Sequence, residues 1–220
     1  MFSSKEAKCS NKELTDADRK KFYEVLRFIE IEIPTLTSPL NLTKTADQLK
    51  KAIEMITEVY FEGRYSSLLE IAHLRPHTPL IAVVDYTLGD LYTELTYKQS
   101  NVEDRLQMLK LAYSHFEQSW LRVSGIHRSE ADDLASHAAK RMNYVCCMQA
   151  YYNIDLGKKE DAIHCFTAQI KALNRELPYL FPGFFGDPRR KEIATEIEDL
   201  NKRIAELCSE PEHVSKQKAS

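Results

Sequence analysis

The strongest pattern in the chain is a pair of long amphipathic helices predicted between residues 80 and 124 and joined by a polar turn. The apolar positions of the first helix are Leu80, Val84, Leu88, Leu91 and Leu95. Those of the second helix, spaced by three or four residues, are Val102, Leu106, Leu109, Tyr113, Phe116, Trp120 and Val123. This spacing places the side chains of each helix on one stripe. The stripes predict a helical scaffold with one packed face and one solvated face.

Further helices are predicted on both sides of this hairpin from apolar periodicity and from start and stop signals. Those signals are Thr15 or Asp16 with Pro34, Thr45-x-x-Gln48 with Gly63, Ser67-x-x-Glu70 before Pro76, Asn101 with Gly125, Ser129-x-x-Asp132 with Gly157, Pro178 after the next helix, and Asp187-Pro188 before the last. No segment has the pattern of a strand. We therefore expect an all-α fold of about eight antiparallel helices in a single domain over residues 14–208, with disordered segments at 1–13 and 209–220.

Two segments carry the elements of a tetratricopeptide repeat, in which small residues let two helices approach and an aromatic ring fills the space between them. The elements are Ala150, Gly157 and Ala162-x-x-x-Phe166 in one segment, and Leu88-Gly89-x-x-Tyr92 with Ala112-x-x-x-Phe116 in the other. The helices of the second segment are about three turns longer than those of a standard repeat. The pattern favours a repeat-like helical stack, and an irregular helical bundle is the alternative. Either would offer a groove or a helical face to protein partners.

Composition limits the expected classes of binding partner and the expected cellular compartment. The net charge of −3 over 220 residues gives the whole molecule no attraction to nucleic acid or to an anionic membrane. No window approaches the length of a membrane-spanning apolar run, and Met1–Lys12 lacks the apolar core of a signal peptide. The five cysteines include no C-x-x-C pair. We expect a cytoplasmic protein with reduced thiols, in which Cys146 and Cys147 belong to a buried helix face rather than to a nucleophilic site.

Searches for enzyme chemistry return no phosphate-binding loop, dinucleotide-binding glycine pattern, nucleophile elbow or zinc-protease motif. Two pairs, Glu70-x-x-His73 and Asp161-x-x-His164, have the spacing of metal ligands on a helix. A di-iron site needs two strong motifs of this kind and two more carboxylates on facing helices. We therefore interpret these residues as surface residues and expect no metal, no cofactor and no catalytic residue.

One basic pair, Lys140 and Arg141, lies in the middle of a predicted helix and off its apolar stripe. The ordinary interpretation is a solvated helix face. The functional interpretation is a basic patch that receives an acidic partner surface, with the arginine fork clamping a carboxylate. Most of the eleven tyrosines are expected in the core or in groove walls, and an exposed minority would suit a protein interface. Lys140, Arg141 and Tyr144 are the predicted protein-binding residues.

Several segments of the first half resemble the TAP/alpha-four family of type 2A phosphatase-associated proteins. They are Ser66-Ser67-Leu68-Leu69-Glu70-Ile71-Ala72, the helix from Leu80-Ile81-Ala82 to Leu88-Gly89, the segment Arg105-Leu106-x-x-Leu109-x-x-Ala112-x-x-x-Phe116, and Ala52-Ile53-Glu54-Met55-Ile56. The resemblance is best over residues 20–123 and weaker from there to about 207. It does not extend to the family's long C-terminal segment.

The resemblance implies an all-α adaptor that binds the catalytic subunit of type 2A Ser/Thr phosphatases and protects or sequesters it in nutrient (TOR) signalling. The family's contact is an Arg-x-x-Lys pair on the helix after the long hairpin. The corresponding positions here are Ala138 and Arg141, so one charge is kept and one is lost, unless Lys140 compensates.

The function expected from these observations is that of a non-enzymatic, monomeric phosphatase-associated adaptor. A divergent helical scaffold for another protein or peptide is the alternative. The third class is an enzyme of unfamiliar chemistry.

Overall fold

The protein is all-α, as expected from its apolar periodicity. The computed structural model describes residues 15–24, 27, 45–60, 80–126, 129–180 and 188–209. Within these ranges there is no strand, and the helices are α1 (residues 16–24), α2 (Ala46–Tyr60), α3 (Leu80–Thr96), α4 (Val102–Val123), α5 (Ser129–Asp155), α6 (Lys159–Glu176), a 3-10 turn (Leu177–Tyr179) and α7 (Pro188–Ser209). The predicted helix after Ser67, the apolar loop at 182–186 and the flanking segments at 1–13 and 210–220 lie outside the described residues.

Helix ends lie where the capping residues predict them. At the start of α2, Thr45 and Gln48 form the reciprocal hydrogen bonds of a capping box, at 2.8 and 3.3 Å. The Asn101 side chain accepts the backbone N–H of Asp104 and begins α4. Gly125 and Gly157, which follow α4 and α5, have φ of 95° and 68°. These left-handed conformations favour glycine and reverse the chain after each helix.

The hairpin of α3 and α4 buries the two apolar stripes that its spacing predicts. Buried positions on both helices include Val84, Leu88, Leu91, Leu95, Leu106, Leu109, Phe116 and Val123. At the centre of the hairpin, Gly89 lies against the ring of Phe116: a Cβ atom at Gly89 would be 2.6 Å from Cε1 of that ring. The small residue and the aromatic ring therefore pack against each other, as the repeat-like pattern predicts.

A second hairpin, of α5 and α6, repeats this pairing of a small residue with an aromatic ring. Ala150 of α5 and Phe166 of α6 lie in one buried apolar cluster. Ile193 and Leu200 extend the cluster onto α7. Burial of these two α7 positions agrees with the periodicity of the last helix, whose predicted start at Pro188 is also observed.

Each helix from α3 to α7 packs mainly against its neighbours in the sequence. The helices alternate between two layers, so that every second helix belongs to the same layer. Helix α5 contacts α3 on one side, through Arg141 and Asp90, and α7 on the other, through Tyr151 and Arg203. Helices α4 and α6 form the second layer. They are joined by a hydrogen bond of 2.7 Å from Arg175 to Glu117. This alternation is typical of helical-repeat architecture, and it places α5 at the centre of the helices from α3 to α7.

No helix in the described ranges combines the length and the apolar character that crossing a membrane requires.

Candidate protein-binding surface

The exposed face of α5 carries a row of large apolar side chains. We call Tyr97, Tyr144, Tyr151 and Ile154 the tyrosine surface; they are between 40% and 51% exposed. They make up four of the eight exposed large apolar side chains of the described residues. Tyr144 and Tyr151 are separated by two helical turns and Ile154 lies one turn further on, so the three side chains share one face of the helix.

Tyr97, from the turn after α3, joins this row by direct contact. Its hydroxyl group forms a hydrogen bond with the hydroxyl of Tyr144 and lies 3.8 Å from Sδ of Met148. Burial, and then the bond to Tyr144, raise the pKa of Tyr97 above its usual value. The two phenol rings are thereby held at fixed positions at the junction of α3 and α5.

Arg203 of α7 borders the other side of the row. Its Nη1 atom donates a hydrogen bond of 2.9 Å to the hydroxyl of Tyr151, and its guanidinium lies 6.0 Å from the centroid of that ring. The surface therefore extends across three helices that are neighbours within one layer. It runs from the end of α3 over α5 to the edge of α7.

The predicted residue Arg141 is bound within the molecule. It donates two hydrogen bonds to Oδ1 of Asp90 on α3, one of them from Nε at 2.8 Å. Its guanidinium lies 5.6 Å from the ring centroid of Phe116 and 5.7 Å from that of Tyr144. Burial raises the pKa of Asp90, and the charge of Arg141 offsets part of that rise. The carboxylate clamped by Arg141 in this structure is thus one from its own chain.

The neighbouring residue Lys140 forms an ion pair with a different helix, α6. Its Nζ atom lies 3.8 Å from Oε1 of Glu176, a fully buried carboxylate that also accepts hydrogen bonds from Arg189. One residue of helix corresponds to about 100° of rotation, so adjacent side chains diverge. The structure therefore brings Arg141 and Tyr144 together and pairs Lys140 with a helix that Arg141 does not contact. Lys140 precedes Tyr144 by four residues and so stays on the same face of α5 as that tyrosine.

Ala138, at the position of the family's arginine, is fully buried. It has no exposed atoms that could replace the missing guanidinium, so a positive charge at the surface of α5 must come from other residues.

On the opposite side of α5 lies a groove whose position and lining residues were not predicted from the sequence. Its volume is about 520 Å³ and it is lined by α4, α5 and α6. Cys146, Gln149 and Asn153 form its floor. Each of these residues is two positions from Tyr144 or Tyr151 in the sequence. Two positions correspond to a rotation of about 200° around the helix. Helical periodicity places them on the inner face, but the open space above them depends on the distance between α4 and α6.

The thiols in the groove have the character expected of core cysteines. Cys146 is buried, and burial strongly raises its pKa, which disfavours the reactive thiolate. Burial also raises the pKa of Cys165. Asp161 and His164 line the same groove, yet no group of three or more potential metal ligands occurs among the described residues. Glu70 and His73 lie outside those residues.

Comparison with known proteins gives no relative: no family model, no curated protein and no solved structure matches the chain.

Proposed function

We propose that the protein is an adaptor that binds the catalytic subunit of a type 2A Ser/Thr phosphatase through the tyrosine surface. The observation that carries the proposal is the concentration of exposed apolar side chains on one face of α5. The resemblance of residues 20–123 to the TAP/alpha-four family supplies the identity of the partner.

The physical reason for a protein contact is the chemistry of the row. Exposed tyrosines combine a large apolar ring with a hydroxyl group, and they contribute strongly to binding when a partner excludes water from them. Contiguous apolar side chains on a monomer surface are typical of interaction sites. Here Tyr97 and Arg203 hold the rings of Tyr144 and Tyr151 in place, so little side-chain freedom would be lost on binding.

Arg141 has a supporting role in this proposal. Its guanidinium lies beside the Tyr144 ring, and its ion pair with Asp90 connects α5 to α3. Charge reversal at Arg141 would place two carboxylates together and disturb the surface as a whole. Variants of the tyrosines test the contact more cleanly.

Binding of purified phosphatase catalytic subunit to the Tyr144→Ala/Tyr151→Ala double variant tests the proposal. We expect micromolar or tighter binding by the wild type. The double variant should lose about 2 kcal/mol or more of binding free energy, which corresponds to about thirtyfold in Kd. The matched control is Leu121→Ala, since Leu121 is a half-exposed apolar residue on α4, outside the tyrosine surface.

Absence of a complex at micromolar concentration in low salt would refute the phosphatase as partner. Equal loss of binding in the Leu121→Ala control would refute the tyrosine surface as the contact. Capture of a different protein that depends on Tyr144 and Tyr151 would favour a helical scaffold with another partner.

A further inference from the structure

The groove between α4 and α6 has the form of a second binding site. One rim is formed by α4, from Leu106 to Glu117, and the other by α6, from Asp161 to Arg175. The rims run in the same direction because each helix is antiparallel to α5. Eleven residues of helix correspond to a groove about 17 Å long. An extended peptide of about five residues has that length.

Positive charge dominates the middle of the groove. Lys110 on one rim and Lys171 on the other line it, and neither forms an ion pair with any described residue. Glu117, at one end, is neutralised by Arg175, whose Nη1 atom lies 2.7 Å from its Oε1 atom. Two ammonium groups therefore face a common space with no carboxylate of their own, which favours an anionic ligand.

The floor of the groove supplies polar groups with weak partners. The amide of Asn153 donates to Sγ of Cys165 at 3.5 Å, and that thiol lies 4.0 Å from Oε1 of Gln149. All three side chains are buried. Sulfur is a weak donor and a weak acceptor. The backbone of a bound peptide would offer these amides better hydrogen-bonding partners than the thiol does.

We propose that this groove binds a short acidic segment of a partner protein, with a carboxylate held between Lys110 and Lys171. A protein segment fits the charge pattern better than nucleic acid does. Asp161 lies at one end and the Glu117–Arg175 pair at the other, so the positive region is confined to the middle. A chain of phosphates along the whole groove would meet the Asp161 carboxylate, whereas a peptide can have acidic residues at its centre alone.

Fluorescence anisotropy with a labelled pentapeptide that has two adjacent glutamates at its centre tests the site. We expect saturable binding at sub-millimolar protein concentration, and about tenfold weaker binding of the same peptide with glutamines in place of the glutamates. Lys110→Glu/Lys171→Glu should reduce affinity by at least about tenfold. The control is Lys191→Glu/Lys202→Glu on α7, which makes the same change in net charge at exposed positions outside the groove and should retain affinity.

Three results would overturn the proposal: no saturable binding, equal binding of the glutamine peptide, or equal loss in the α7 control. Displacement of the peptide by a single-stranded oligonucleotide at equal concentration would also overturn it, since it would favour nucleic acid. The Tyr144→Ala/Tyr151→Ala variant should bind the peptide as the wild type does. The proposals for this groove and for the tyrosine surface can therefore be refuted independently of each other.

Discussion

At the scale of single residues, Gly89 sets the distance between α3 and α4. Gly89→Ala would gain about 1 kcal/mol of helix propensity, but its Cβ would overlap the Phe116 ring. Overpacking of this kind costs about 1–3 kcal/mol. We expect Gly89→Ala to lower the free energy of unfolding by up to about 2 kcal/mol, measured by urea denaturation.

The same substitution in a Phe116→Leu background provides the control, because the smaller side chain leaves room for the added methyl group. There Gly89→Ala should be neutral or stabilising. Equal effects in both backgrounds would show that Gly89 and Phe116 are not coupled, contrary to the packing described.

The reactivity of single cysteines tests whether their side chains are buried. Cys208 is exposed, whereas Cys146 is buried with a raised pKa. Alkylation of the folded protein with iodoacetamide, followed by peptide mass spectrometry, should therefore modify Cys208 first and Cys146 last. In denaturant the two should react alike. Equal rates in the folded protein would contradict the placement of Cys146 in the core.

At the scale of elements, an ion-pair network adds to the apolar packing that holds α7 against α6. Arg189 donates to both carboxylate oxygens of Glu176, at 3.0 and 3.2 Å, and to Glu196 at 2.6 Å. Arg189→Gln would leave the buried Glu176 with Lys140 alone. We expect a loss of about 2–3 kcal/mol in stability, somewhat less than for a fully buried pair because Arg189 is partly exposed.

Hydrogen exchange shows which helix loses stability in the Arg189→Gln variant. Amides of α7 should exchange faster in Arg189→Gln, while Lys191→Gln, which replaces an exposed neighbour, should leave exchange unchanged. The Glu176→Gln/Arg189→Gln double variant should regain part of the stability because it removes the unpaired charge. Unchanged exchange in α7 would mean that the network does not hold the helix.

At the scale of the whole molecule, partly buried tyrosines make stability depend on pH in the alkaline range. Burial raises the pKa of Tyr86 and of Tyr113 from 10.0 to about 12. Above pH 10 the unfolded chain releases phenolic protons that the folded protein still binds. Their contribution to stability is therefore complete below pH 10 and declines as pH rises to about 12.

The urea midpoint as a function of pH measures this decline. Tyr86→Phe should reduce it, and Tyr23→Phe, at an exposed position, should leave it unchanged. A midpoint that does not change between pH 10 and about 12 would contradict the burial of these hydroxyl groups.

Much of this fold could be predicted because each helix carries its own pattern. The stripe from Leu106 to Val123 and the caps at Thr45 and Asn101 are local signals, and they are observed. The surroundings of Arg141 could not be predicted in the same way. Its partner Asp90 lies 51 residues away on another helix, and the contact depends on how α3 packs against α5.

The lining residues of the groove could not be predicted for a related reason. Lys110 and Lys171 have the pattern of ordinary solvated positions on their own helices, and only the spacing of α4 and α6 across α5 brings them to one groove. Conversely, Lys140 and Arg141 are adjacent in sequence and were expected to form one patch. Adjacent residues on a helix diverge, and here they pair with different helices.

The most direct test of the central claim is hydrogen exchange of the protein with and without the phosphatase catalytic subunit. We expect slower exchange in the complex for peptides that cover residues 140–155 of α5 and the turn at Tyr97. No change there, or slower exchange confined to α4, would contradict the assignment of the tyrosine surface as the site where the partner binds.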